Sequence, residues 1–420
     1  MAGFLNLMSD AEQLLESLRH EGWVRDPQAT LTPLAGGVSS DIYLVQDGRD
    51  RFVVKRALAK LRVKDDWRAN TGRNATEQNY LRCVARWLPA SVPRLLSSNP
   101  QDGYFSMEFL GAGFVTWKKL LLEGRCEPAH AAQAGEILGI IHRRTAGDAA
   151  LARDFETTAD FHQLRLEPYL LTTGERHPPL RPQFEREAKR LEATREALVH
   201  GDFSPKNILI GGGRMVLLDC ETAWYGDPAF DVAFLLNHLF LKSLHHAPKV
   251  LSLEKMIAAF WAAYAEARED FPIASRLAPS DRSAEPAPDS NQKTKRVERV
   301  LGALTHRVSC GAQPVAARLV PLLLMLLLAR VDGKSPVEYL TERKRQFIRD
   351  FVHTHLPSPP ASLNKLSDLW FEQVYRCDPG AFPPEQAQEP GAGAPVADPT
   401  RFGEQPQPAS SATSAPPPGA

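Results

Sequence analysis

The densest chemistry in the chain lies in HGDFSPKNILIGGGRMVLLDCE, residues 200–221. Asp202 and Asn207 fall on a loop directly before the apolar run ILI (208–210). Asp219 closes the next run, MVLLD (215–219), with Gly211-Gly212-Gly213 between them. Two short apolar runs around a glycine turn predict a hairpin, and a hairpin here draws three oxygen-bearing side chains to one edge. Asn and Asp oxygens suit Mg2+, a hard cation. A further carboxylate can orient a hydroxyl and accept its proton. The plainer alternative is a polar surface hairpin.

These residues need elements to hold them. Leu7, Leu14, Leu15 and Leu18 share one face of an expected first helix. LTPL, DIYLV and RFVVK then read as short strands, with Asp47-Gly48 as a hairpin signal. A helix is expected from about Asn74 to Trp87, and strands at Pro93–Ser97 and Tyr104–Phe109. From about residue 129 the pattern turns helical: His130–Thr145, Phe184–Leu198, Phe230–Leu244 and Glu254–Asp270, interrupted by the 208–219 hairpin. The implied organisation is an N-terminal helical segment (1–30), a β-rich lobe (31–109) and a helical lobe (110–377). The last contains a Pro- and Ser-rich stretch, 279–295, expected to be a flexible loop. Eleven of the 34 prolines fall between Asp378 and Ala420, so 378–420 is expected to be a disordered tail.

Composition narrows the function. The 420 residues carry 50 basic and 50 acidic side chains, for a formal net charge of zero. A nucleic-acid binder or a polybasic membrane-surface protein would show a basic excess. Cysteines at 83, 126, 220, 310 and 377 have no metal-ligand spacing, which fits a reducing compartment rather than a disulfide framework. The longest apolar run, Leu319–Ala329, falls short of the ~20 residues a membrane helix needs. No secretory signal is visible at the N-terminus. The expectation is a cytoplasmic protein with no nucleic-acid and no membrane partner.

The HGD-x-x-x-x-N spacing followed by Asp219 resembles the catalytic loop and metal-binding Asp of the protein-kinase-like superfamily. More narrowly, roughly residues 31–350 resemble the aminoglycoside phosphotransferase family, the small-molecule branch that also holds choline, homoserine and methylthioribose kinases. The resemblance implies an α+β, bilobal protein-kinase-like fold with a small β-rich N-lobe and a large mainly helical C-lobe. It implies an ATP-dependent phosphotransferase, with Mg2+, acting on a hydroxyl of a small molecule. Asp202 then becomes the catalytic base, and Asn207 and Asp219 become Mg2+ ligands. Glu221, two residues on, resembles the DPE-type variant of methylthioribose kinases and becomes a contact to a second metal, direct or through water.

In the N-lobe, the resemblance turns GGVSSDIY into the phosphate loop. Gly36 and Gly37 would let the backbone approach, and Ser39 and Ser40 would donate to phosphate oxygens. A Gly-Gly before a strand is also an ordinary turn. Lys55, closing the strand RFVVK, becomes the contact to the α- and β-phosphates, with Glu77 its ion-pair partner. Met107 and Phe109 fall at the hinge that would meet adenine. His200 is expected to support the loop backbone, Asp231 to hold it through backbone N–H groups, and Asp227 to act as a cap or loop tie. His142 is expected to be a packed helix residue.

Two other function classes compete. A nucleotide-binding pseudokinase would usually lack one of Lys55, Asp202, Asn207 or Asp219, and all four are present. A protein kinase needs an activation loop between Asp219 and Asp231, and the interval is too short for one. The basic segment 341–356 does not suggest a pocket for polycations. Lys334, Ser335 and Glu338 are candidates for the acceptor site. Trp224 and Tyr225 could either stack on a sugar ring or pack in the core.

Overall fold

The computed structural model describes residues 10–34, 40–57, 72–247, 250–268 and 313–376. Gly36, Gly37, Ser39, Leu7, the 279–295 stretch and the 378–420 tail lie outside the described residues.

The N-lobe is a five-stranded antiparallel sheet. Its strands are β1 (Thr30–Pro33), β2 (Ser40–Asp47), β3 (Asp50–Ala57), β4 (Leu95–Asn99) and β5 (Tyr104–Glu108), in the order β1-β2-β3-β5-β4. A two-residue turn, Gly48-Arg49, closes the β2–β3 hairpin with Asp47 opposite Asp50. Side chains alternate between faces along a strand, and β3 uses both. Phe52 and Val54 pack with Leu14 and Leu18 of helix α1 (Asp10–His20). The N-terminal helix therefore covers one face of the sheet. Val53 faces the opposite side, with Tyr80, Leu81 and Val84 of helix α2 (Arg73–Ala85). The same alternation sends Lys55 toward α2.

The chain then forms β6 (Phe114–Thr116), which pairs with the hairpin β8 (Ile208–Gly211) and β9 (Arg214–Leu217). Helix α3 (Trp117–Leu122) follows, and then α4 (Pro128–Thr145). Gly135 and Gly139 let α4 lie directly against α7 (Leu251–Arg268). An added Cβ would meet the Phe260 carbonyl oxygen at 2.3 Å and that of Tyr264 at 2.7 Å. A π-helical stretch, His162–Leu171, carries Pro168 inside it. Proline has no N–H to donate, which is one cause of such local rewinding.

Helix α5 runs from Arg181 to Ala193, and strand β7 covers Ala197–Val199. The expected helix to Leu198 is therefore cut short. Leu198 lies in β7, opposite Tyr225 of β10 (Trp224–Gly226). Sheet pairing wins over the apolar spacing there. Helices α6 (Ala229–His246), α8 (Gln313–Asp332), α9 (Glu342–His355) and α10 (Leu363–Tyr375) complete the C-lobe. Leu322 through Ala329 of α8 are almost wholly buried in one core with α6. Among the described residues no helix is long and apolar enough to cross a membrane. The architecture is α+β and bilobal, a small antiparallel lobe on a large helical one.

Candidate active site

Lys55 crosses the boundary between the lobes. Its ammonium lies 2.6 Å from Glu77 Oε2 on α2 and 2.8 Å from Asp219 Oδ1 beyond β9. Burial alone would push its pKa down. The carboxylates of Asp219, Glu77 and Glu221 overcome that, and the net shift is well upward. One turn before Glu77, Arg73 sits 2.9 Å from Glu221 Oε1, so α2 presents two basic–acidic contacts on one helical face. Ser40 Oγ, at the start of β2, lies 3.5 Å from Glu221 Oε2.

Asp219 stands two residues past β9 rather than at the strand's end, with φ of +60°. It is the one non-glycine residue with positive φ among those described. Such a conformation is costly for a side-chain-bearing residue. Here it turns the carboxylate back toward Lys55. Burial pushes its pKa up, but Lys55 and Lys206 pull harder and the net shift is down.

The catalytic-loop candidate is fixed from below. Asp231, in the first turn of α6, accepts the backbone N–H groups of His200 at 2.7 Å and Gly201 at 3.0 Å. It also meets His142 Nε2 at 3.3 Å, and His142 Nδ1 meets the Tyr264 hydroxyl at 3.1 Å. His142 is thus a packed helix residue that also ties α4 to the loop. Asp202 donates its backbone N–H to His200 Nδ1 at 3.2 Å. That ring nitrogen is therefore the unprotonated one, and burial keeps His200 neutral by lowering its pKa. Gly201 has φ of +77°, and a Cβ there would fall 2.3 Å from the Thr222 carbonyl oxygen. An Arg in its place would strain this turn.

The Asp202 carboxylate is 4% exposed as a residue and gripped through one oxygen. Oδ2 lies 3.1 Å from Arg165 and 3.0 Å from Lys206, while Oδ1 has no protein partner among the described residues. Burial pushes its pKa up, Lys206 and Arg165 more than offset that, and the group is held ionised. Asn207 donates its side-chain amide to the Asp202 carbonyl at 3.0 Å. That leaves the Asn207 Oδ1 as the atom available to a ligand.

The structure brings Lys55, Glu77, Asp219, Glu221 and Ser40 together where the two lobes meet. Oxygen atoms of Glu77, Asp219 and Glu221 lie within 4.8 Å of one another. This hard-oxygen set is of the kind Mg2+ takes, although Glu77 already faces Lys55. Met107 sits inside β5, paired with Val53 on one side and Leu95 on the other. Glu108 donates its N–H to the Arg94 carbonyl, so the first backbone past the sheet is at Phe109. The Phe109 ring lies beneath Arg51 at 5.3 Å.

Two acceptor-side candidates move to the core. Trp224 is fully buried and stacks on Phe161 at 3.7 Å, and the Tyr225 hydroxyl donates to the Thr145 carbonyl at 2.9 Å. Neither is open to a sugar. Asp227 caps α6 through the Ala229 N–H and pairs with Arg190 and Arg318. Lys334 pairs with Glu167, and Glu338 with Lys118, each at 2.5 Å. Ser335 accepts from Arg330 at 2.9 Å.

Three residues of the site escaped the sequence reading. Lys206 is signalled by its place four residues after Asp202 in DFSPKN, and Arg73 by its place one turn before Glu77. Arg165 reaches Asp202 from the π-helical stretch, and nothing local in sequence marks it.

A model of the phosphotransferase enzyme family, APH, matches residues 30–272. The chain belongs to that family. It is 26% identical over 277 residues to the methylthioribose kinase of Pectobacterium atrosepticum, an overlap covering 55% of this chain and 65% of that protein. It is 27% identical over 263 residues to the methylthioribose kinase of Yersinia pseudotuberculosis, covering 55% and 64%. The chain thus spans just under two-thirds of the length of the curated relatives it matches. Among solved structures, an amicoumacin kinase in complex with AMP-PNP, Ca2+ and Ami aligns at a TM-score of 0.46. The identity is 15%, with 85% of this chain and 97% of that one covered. A microcompartment-associated aminopropanol kinase aligns at 0.45 and 13% identity, covering 81% and 94%.

Proposed function

We propose that this member of the phosphotransferase family is a small-molecule kinase that moves the γ-phosphate of ATP to a hydroxyl of its acceptor, with Mg2+. The observation that carries the reading is Lys55, which joins a strand of one lobe to Asp219 of the other across a shared cleft. Phosphoryl transfer asks mainly for positioning and charge neutralisation, and these residues divide that work.

Lys55, steadied by Glu77, offers its ammonium to phosphate oxygens, and Ser40 adds a hydroxyl nearby. Asp219 and Glu221, with Asn207 Oδ1, would hold Mg2+, which when bound supplies positive charge at the phosphates. Asp202 orients the acceptor hydroxyl through its free Oδ1 and takes its proton. Lys206 and Arg165 keep that carboxylate ionised and place positive charge beside it. Asp231 fixes the loop that carries it. The chain from Asp219 to Asp231 contains only β10 and the start of α6, which leaves no platform for a peptide.

The test is a metabolite extract incubated with the protein and γ-labelled ATP. Label on small molecules is expected. Label confined to protein, or to free phosphate alone, would contradict the reading.

A further inference from the structure

Helix α6 carries a histidine and a lysine one turn apart, His238 and Lys242. Their residues are 7% and 1% exposed. Among the described residues neither polar head has a hydrogen bond or an ion pair. The Lys242 ammonium lies only over the Tyr339 ring, at 5.2 Å, and His238 meets only the edge of Phe234, at 5.7 Å. The charged groups bearing on Lys242 come from three other segments: Lys118 of α3, Arg330 of α8 and Glu338. Glu338 is already paired with Lys118 at 2.5 Å. Cys126 is the remaining titratable neighbour. The cluster therefore holds Lys118, Lys242 and Arg330 against one carboxylate, beside His238, which burial and the neighbouring Lys242 and Arg330 keep neutral.

This cluster adjoins the base. Arg330 donates to the Tyr169 hydroxyl at 3.3 Å and lies 5.8 Å from the ring centre. Arg165 lies 6.0 Å from the centre of the same ring and holds Asp202. One aromatic side chain thus separates Arg330 from the arginine that holds Asp202. Lys206 also bears on His238. Burying an ammonium with no counter-charge is expensive. An incoming ligand that supplied the missing negative charge would be favoured there, and one bringing a second cation would be repelled.

We propose that the acceptor is an anionic hydroxy compound whose carboxylate or phosphate group is held by Lys242, His238 and Arg330 while its hydroxyl meets Asp202. The proposal rests on the kinase reading and names its substrate class. It sets this chain apart from an enzyme for polycations or quaternary ammonium alcohols. It also accounts for the single paired carboxylate, since a pocket for cations would present several free ones.

The test has a binding arm and a turnover arm. With Mg·AMP-PNP saturating the nucleotide site, thermal shifts are measured for orthophosphate, gluconate and ribose 5-phosphate, and for methylthioribose and choline. The anions are expected to raise Tm in the wild type and to do so far less in Lys242→Met. Lys118→Gln, at a half-exposed site, provides a second variant with the same direction and smaller effect. In turnover, an anionic acceptor should show KM raised roughly 10- to 100-fold in Lys242→Met, the loss expected for one charged hydrogen bond, with the KM for ATP unchanged. Shifts by the neutral or cationic probes alone, or anion shifts equal in wild type and both variants, overturn the proposal. Transfer to neutral or cationic acceptors alone overturns it and leaves the kinase reading standing. Anion shifts lost in Lys242→Met but no transfer to any acceptor would instead retain the anion site and remove the kinase reading.

Discussion

Two charged clusters in this molecule, one around Lys55 and one around Lys242, are built on opposite rules. Around Lys55 every cation has a carboxylate: Lys55 meets Glu77 and Asp219, and Arg73 meets Glu221. Around Lys242 the cations outnumber the carboxylates, and among the described residues Lys242 itself has no ion pair. The paired cluster is a preformed frame, in which opposite charges hold one another at fixed positions before a ligand arrives. The unpaired cluster stores an unmet demand for negative charge. A frame of the first kind suits groups common to every turnover, and a site of the second kind suits selection among ligands.

Removing a member of the paired cluster should have the larger effect. Lys55→Met strands the buried Glu77 and leaves the partly exposed Asp219 unpaired, and breaking a buried pair typically costs ~3–5 kcal/mol. We expect kcat/KM to fall by roughly three orders of magnitude together with a clear drop in Tm. Phosphate-transfer kinetics and thermal melts would read both, and an active, equally stable variant would dissolve the contrast between the clusters.

Asp231→Asn should act through the loop rather than the ligand. Asp231 accepts two backbone N–H groups and faces His142, and an amide nitrogen in place of one oxygen cannot accept. A cost of ~1–3 kcal/mol is expected for an unsatisfied buried donor. Displacement of Asp202 should lower kcat by about 100-fold with little change in the KM for ATP. A changed KM with unchanged kcat would assign Asp231 to binding instead.

The unpaired cluster should respond in the opposite direction. Burial, then Lys118 and Arg330, lower the Lys242 pKa from its ordinary 10.5 to about 7. Between those values the unfolded chain holds a proton that the folded chain does not. Stability therefore rises with pH from about 7 toward 10.5 and is penalised below 7. Lys242→Met should remove that rise and stabilise the ligand-free protein by ~2–4 kcal/mol near neutral pH. Melting curves at pH 6, 7.5 and 9 check the sign, and a destabilised variant with the wild-type pH slope would show that Lys242 is paired in solution.

The two clusters were also unequally legible in sequence. Lys55, Glu77, Asp202, Asn207 and Asp219 could be named because their order and spacing along the chain resemble a known pattern. The β3 alternation that aims Lys55 at α2 was readable in RFVVK. The N-terminal helix was visible, but its docking on the sheet was not, because amphipathic spacing does not name the surface that an apolar face meets. Leu198 was misplaced in a helix because a three-residue strand leaves almost no periodic signal. His238 and Lys242 were invisible for a different reason: inside AFDVAFLLNHLFLKSLHH they read as ordinary polar positions on an apolar helix. Their surroundings include Tyr339 and the charges of Arg330 and Lys118, from segments distant in sequence. Arg165 is hidden in the same way, since only the rewound π-helical stretch carries it to Asp202.

The most direct measurement pairs transfer with nucleotide binding in Asp202→Ala. If Asp202 handles the acceptor proton while Lys55 and Asp219 hold the nucleotide, transfer falls by at least about 1,000-fold and Mg·ATP affinity stays close to wild type. Transfer that persists near the wild-type rate would take the base role away from Asp202, and loss of Mg·ATP binding would contradict the division of labour on which the whole account stands.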